Sequence, residues 1–229
     1  MAALASLDDV LASAGGVLLP GPAPNHYGGQ DDEGRRIMSW VPAFKIGLWN
    51  AWVLMLYLPL HPLIMILVDK ALGTGQIMKK MGDVPYDKKE KRAFMTSMVL
   101  MVLLVLYSIF LPLKLGTAWF YAGLAIYLLG LAMFVTAIVN IATTPLGQPF
   151  ARGMYRYSRH PMLFSGFIAW VGVSVASASW LFLLLSVVVM GLEASQAVAE
   201  ERGCLEVYGD EYRQYLNVTP RWIGMPKSK

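Results

Sequence analysis

PMLFSGFIAWVGVSVASASWLFLLLSVVVMGLEASQAVA, residues 161–199, is one apolar stretch of nearly forty residues with a single charge, Glu193. As one helix it would run about 58 Å at 1.5 Å per residue, roughly twice the ~30 Å hydrocarbon core of a bilayer. It must therefore fold back. The small-residue run Ser174-Val175-Ala176-Ser177-Ala178-Ser179 marks its middle. Two antiparallel helices over 161–177 and 180–199 are predicted, each long enough to span. Pro161 suits the first helical position, where its missing N–H costs nothing. Gly166, Gly172, Ser174 and Ala176 would let the first of these helices pack closely on its neighbours.

Outward from this hairpin the chain keeps the same character. Of 229 residues 56% are hydrophobic and 15% charged, with a mean hydropathy of +0.51, which is a membrane composition and not that of a soluble domain. Further spans are predicted at about 44–68, 94–113 and 118–142. The expected fold is all-α and integral to the membrane, with five transmembrane helices, the last two forming the hairpin. Residues 1–43 form a polar arm, rich in Pro and Gly around Asp31-Asp32-Glu33, with a short helix at residues 4–11. The arm has no basic start and its apolar run is broken by Asp8-Asp9, unlike a signal peptide.

Loop charges set the expected orientation. Residues 69–93 hold Lys70, Lys79, Lys80, Lys88, Lys89, Lys91 and Arg92 against four acids, and residues 142–160 hold Arg152, Arg156 and Arg159 with none. Both loops are expected on the cytoplasmic side. The arm, the 114–117 link and the Ser177 turn fall opposite, giving an outside N-terminus and a cytoplasmic C-terminus. The net charge of +4 is explained by loop cations near anionic lipid, so no nucleic-acid partner is expected. Cys204 alone makes no disulfide within the chain, and His26, His61 and His160 lack metal spacing, so no metal is expected.

The hairpin is bracketed by opposite charges: Arg159-His160-Pro161 precede it and Glu200-Glu201 end it, on one membrane face by the span count. Glu193, Gln196 and Glu200 are spaced i, i+3, i+7 and share a helix face. Glu193 lies inside the apolar boundary and needs a partner. Either it pairs with an arginine or a lipid head group for structure, or it lines a pocket for a cationic ligand. Glu200-Glu201 alone would read as a solvated helix end.

Gly153-Met154-Tyr155-Arg156-Tyr157-Ser158-Arg159-His160-Pro161-Met162, Gly166, Glu200-Glu201, Leu205, Tyr208-Gly209, Glu211-Tyr212, Tyr215 and Pro220-Arg221-Trp222 together resemble the C-terminal half of the isoprenylcysteine carboxyl methyltransferase and phospholipid methyltransferase superfamily. The resemblance covers about residues 147–223. It implies an S-adenosylmethionine-dependent methyltransferase, with a cytoplasmic C-terminal segment closing the cofactor pocket. Tyr155, Arg159, His160, Pro161, Leu163, Gly166, Glu200 and Glu201 would then line the cofactor, and the methyl acceptor would be lipophilic or membrane-delivered: a prenylcysteine carboxylate, an amine lipid or a thiol. Acids around an arginine suit a ligand carrying a sulfonium, an ammonium and a carboxylate. Where the acceptor must lose a proton, Glu193 or Glu200 is the candidate base.

Two departures bear on the acceptor. Leu163 stands where the superfamily has an aromatic two residues after the proline, with Phe164 next; and Gly123 and Gly130 are single where phospholipid enzymes carry GxG, which speaks against that branch. Two other classes stay open: an NADPH-dependent sterol-type reductase, whose C-terminal region is similar, and a non-catalytic membrane scaffold of the same fold. His61-Pro62 reads as a kink with a satisfied imidazole, the methionines and Cys204 as packing, and Phe150, Tyr155, Tyr208, Tyr212, Tyr215 and Trp222 as interfacial aromatics.

Overall fold

The computed structural model describes residues 46–75, 77 and 84–227. The expected arm over 1–43, its short helix at 4–11 and the first residues of the expected span from 44 lie outside the described residues. The described elements are helical: α1 (Trp52–Met55), α2 (Tyr57–Ala71), α3 (Lys88–Ser108), α4 (Ala118–Thr143), a 3-10 turn (Gly153–Arg156), α5 (Pro161–Ala176) and α6 (Trp180–Val218). Four helical stretches are long and apolar enough to cross a membrane: Trp52–Ala71, Lys88–Ser108, Ala118–Thr143 and Trp180–Val218. Pro161–Ala176 is apolar but shorter.

The hairpin turns where the small residues predicted it. Ser177 and Ala178 end α5, with Ser179 N–H donating to the Ser174 carbonyl at 2.9 Å, and the Ser179 hydroxyl then caps α6 by accepting from Phe182 N–H at 3.2 Å. Serines inside the apolar helices satisfy themselves locally: Ser165, Ser174 and Ser186 donate to the carbonyls of Met162, Trp170 and Phe182. Such a hydroxyl adds no unpaired polar group to the core.

Backbone-close packing joins α4 to α5. A Cβ added to Gly123 would lie 2.1 Å from the Ala176 nitrogen, one on Gly130 2.6 Å from the Ala169 nitrogen, and one on Gly172 2.4 Å from the Tyr127 nitrogen. The single glycines of α4 are therefore where the two backbones touch, as small residues permit in apolar surroundings. Gly166 behaves differently from the expectation: a Cβ there would meet only Tyr57 Oη, at 3.9 Å. It meets α2 through that side chain alone and brings no two backbones together.

Ends of the bundle are tied by specific bonds. At one end Ala51 N–H donates to the Leu111 carbonyl (2.8 Å) and Lys114 N–H to the Ala176 carbonyl (2.9 Å). At the other, Asp87 and Glu90 form a capping box on α3, and Glu90 also receives both terminal nitrogens of Arg202 from α6, at 3.0 and 2.6 Å. Large apolar side chains such as Leu63, Ile66, Val102, Leu128 and Leu184 are exposed on the outer faces, as a lipid-facing surface requires.

The final helix differs most from its expected bounds. The predicted span ends at Ala199, but the helix runs on to Val218, since charged residues can extend a helix beyond an apolar boundary. Gly209, at φ 55 and ψ −126, breaks it, in a region essentially open only to glycine. Replacing Gly123 by Ala should lower the free energy of unfolding in mixed micelles by about 1–3 kcal/mol through overpacking. Gly191→Ala, where nothing lies within 4 Å of the added carbon, should not lower it and should raise it by up to about 1 kcal/mol through helix propensity.

Candidate active site at the open end of the hairpin

Pro161 starts α5 at its first turn, so Arg159 and His160 are presented directly at the helix entrance. The Ser158 hydroxyl accepts from His160 N–H at 3.1 Å and fixes this approach. Seven and eight residues beyond Glu193 on α6, Glu200 and Glu201 reach the same point. His160 Nδ1 lies 3.1 Å from Glu200 Oε2 and Nε2 3.2 Å from Glu201 Oε1. Arg159 reaches Glu201 Oε1 at 3.0 Å, and Gln196 donates to Glu200 Oε1 at 2.9 Å.

The C-terminal residues complete the network. After α6, the chain returns along residues 157–159: Arg159 N–H donates to the Pro220 and Arg221 carbonyls, and Gly224 N–H to the Tyr157 carbonyl. This brings Arg221 onto Glu201 as a two-pronged donor, Nε at 3.0 Å and an NH2 nitrogen at 2.7 Å. Trp222 stands 6.1 Å from the His160 ring. Arg221 had no assigned role in the sequence beyond its place in Pro220-Arg221-Trp222; the signal for it is an arginine between Pro220 and Trp222 just after the last helix.

These contacts divide the two acids. Glu201 is buried and taken up by Arg159, His160 and Arg221, whereas the Glu200 side chain keeps 32% exposure with His160 and Gln196 as partners. Burial opposes the charge on Glu201, but the hydrogen bonds from His160 and Arg221 and the Arg159 charge outweigh it and push its pKa down to about 2. Burial likewise opposes an imidazolium at His160, and the two carboxylates together overcome it, raising its pKa.

The other expected site residues are placed as follows. Pro161 is fully buried at the entrance, and Leu163 and Phe164 are half-buried on α5. Tyr155 is a core residue, packed with Met65, Phe134, Ile138 and Ile141, and its carbonyl accepts from the Tyr215 hydroxyl at 2.7 Å. Tyr155, Tyr212 and Tyr215 are thus buried inside the protein, which corrects the interfacial reading: Tyr155 packs against α2 and α4, and Tyr212 and Tyr215 sit together on α6, with Tyr215 bonded to Tyr155. Glu193 is buried, and among the described residues no arginine or lysine forms an ion pair with it. Burial, then Glu200, hold the Cys204 thiol up at about 11, consistent with packing and not with a nucleophile.

Two cavities border these elements. One of about 240 Å³ is lined by Arg159, Leu216, Thr219, Pro220 and Lys227, and Arg159 Nε is buried without a hydrogen-bond partner. The other, about 420 Å³, lies at the end of α2 beside Asp69, Gly73 and Gly75, far along the chain from the charged network. There the Asp69 carboxylate closes the helix end by accepting from Thr74 Oγ1 and Ile77 N–H, a structural use for its charge.

Apolar helices with a charged network at one end of the last hairpin define an integral membrane protein with a polar centre at its boundary. Residues 119–211 match the family model described as phospholipid methyltransferase, which bears out the resemblance to that superfamily of integral membrane methyltransferases. The match starts earlier than expected, at α4, and it carries the phospholipid description although Gly123 and Gly130 stand alone. Neither curated proteins nor solved structures yield a match. Methyl transfer is the class of activity that the family implies.

The network sets a pH window. His160, with a raised pKa, contributes stability that is full below its ordinary 6.5 and is lost as pH rises through the folded value. Glu201 contributes above its ordinary 4.5 and loses that contribution as pH falls towards about 2. Wild-type thermal stability in nanodiscs should therefore fall both above 6.5 and below 4.5, while His160→Gln should lose the alkaline limb of the curve.

Proposed function

We propose that the chain is an S-adenosylmethionine-dependent methyltransferase acting on a lipophilic or membrane-delivered acceptor at the cytoplasmic membrane boundary. The convergence of Arg159 and His160 with Glu200 and Glu201 inside the family-matched hairpin carries this reading. The membrane topology that goes with it has five crossings, α5 included, an outside N-terminus and a cytoplasmic C-terminus.

The residues fit the cofactor on two observations. Arg159 Nε is a buried donor without a partner beside a cavity, suited to a carboxylate. Glu200 retains an exposed side, suited to a cationic or hydroxyl group. His160 and Arg221 hold the two acids in place, and Glu201 positions Arg159 through its ion pair. Tyr155, Pro161, Leu163 and Gly166 belong to the same reading as the surrounding wall. Bound there, S-adenosylmethionine supplies a methyl group on a sulfonium. The chain's own part is to orient and exclude water, and positioning in such a site is worth roughly 7–11 kcal/mol.

Equilibrium binding to the purified protein separates the classes: S-adenosylmethionine should bind and NADPH should not. Binding of NADPH alone would indicate the reductase, and binding of neither the scaffold. Glu200→Gln should weaken S-adenosylmethionine binding about tenfold, a change of about 1.4 kcal/mol, while His61→Ala should leave it within about twofold. Equal losses in the two variants would remove Glu200 from the site.

A further inference from the structure

Beside the charged network, α6 carries a second ion pair whose partner lies outside the family-matched residues. Arg202 donates to both carboxylate oxygens of Glu90, at 3.0 and 2.6 Å, and also to the Pro85 carbonyl. Glu90 in turn accepts from Asp87 N–H at 2.8 Å, and the Asp87 carboxylate accepts from Glu90 N–H at 2.7 Å. Residues 85–90 are thereby one closed corner, fastened to α6 at two points by a single guanidinium. The next position on α6 is in close contact as well: a Cβ added to Gly203 would lie 2.8 Å from Pro85 Cδ.

Gly203 follows Glu200 by three residues, so the two share a face of α6, about 4.5 Å apart along its axis. A helical Cβ leans towards the N-terminus, and what it meets lies over the preceding turn. Pro85 therefore lies over the turn that bears Glu200, whose side chain is partly exposed. Tyr86 follows directly, half-buried, with its ring stacked on Phe94 of α3 at 5.2 Å and 19°. Burial, then Glu200 and Glu90, push the Tyr86 phenol up to about 12, in keeping with a ring on the Glu200 side of the corner.

We propose that residues 84–90 form the outer wall of the cofactor site beside Glu200, with the Tyr86 ring as its face, and that Arg202 is the positioning residue that holds this wall on α6. The proposal rests on the methyltransferase reading above. A wall at this place keeps water from the open side of Glu200, and the carboxylate then pairs more strongly with a cationic or hydroxyl group of the ligand. Residues 84–90 precede the matched stretch 119–211, and tertiary contact alone joins them to the site.

Association and dissociation rates of S-adenosylhomocysteine, measured by surface plasmon resonance on the full-length protein in nanodiscs, test this. Arg202→Gln and Tyr86→Ala should each weaken binding about tenfold, through faster dissociation at an unchanged association rate. A variant that is merely less folded would lower the binding amplitude and leave both rate constants as they are. The conservative changes Arg202→Lys and Tyr86→Phe should stay within about threefold of wild type, since one keeps the ion pair and the other keeps the ring. Gly203→Ala should speed dissociation by displacing Pro85, and Gly191→Ala, on the same helix with open space around it, should not. Wild-type dissociation rates in Arg202→Gln and Tyr86→Ala, or Tyr86→Phe dissociating as fast as Tyr86→Ala, overturn the proposal and leave the methyltransferase reading in place. A wild-type protein that binds neither S-adenosylhomocysteine nor S-adenosylmethionine removes that reading and the proposal with it.

Discussion

Glu201 is a buried carboxylate, and three basic groups from two parts of the chain converge on it: Arg159 and His160 before α5, and Arg221 after α6. A buried charge that loses a partner destabilises a protein strongly, so the start of the hairpin, its far end and the C-terminal return are held as one unit. The break at Gly209 belongs to the same requirement. Without a change of direction there, the chain after α6 would run on past the α5 entrance and could not lie along residues 157–159.

A second constraint acts inside the bundle. The glycine contacts of α4 with α5 bring two backbones together at Gly123, Gly130 and Gly172, and this fixes α5 on one side. The face of α5 bearing Gly166 and Trp170 is then left towards α2, where Tyr57 meets it. The outcome is two polar layers of different kinds. At the boundary, acids and bases are paired, and Glu200 and Arg221 keep exposed sides; about two helical turns deeper, Tyr57, Trp170 and Glu193 are buried.

Much of this was legible without coordinates. The fold-back within 161–199 follows from length against bilayer thickness, and the Ser and Ala run located the turn to within a residue of where α5 ends and α6 begins. The span count put Arg159-His160 and Glu200-Glu201 on one membrane face, and the structure brings their side chains within hydrogen-bond distance. Glu90 with Arg202 was not legible: they are 112 residues apart, and no local pattern encodes such a pairing. The tyrosines misled because an aromatic near a boundary has the same sequence signature whether it faces head groups or the protein core. Leu163 remains a departure from the superfamily pattern that no contact in the structure explains.

Composition and hydrophobic length determined by themselves that the chain is a bundle of apolar helices with a charged bracket around its last hairpin, because those properties depend only on residue type and on spacing along one helix. Tertiary structure decided which acid is neutralised and which stays accessible, which glycines bring helix backbones together and which does not, and that Tyr57 and Trp170 share one core cluster. Those outcomes depend on rotation and offset between helices, which side chains from distant segments set together.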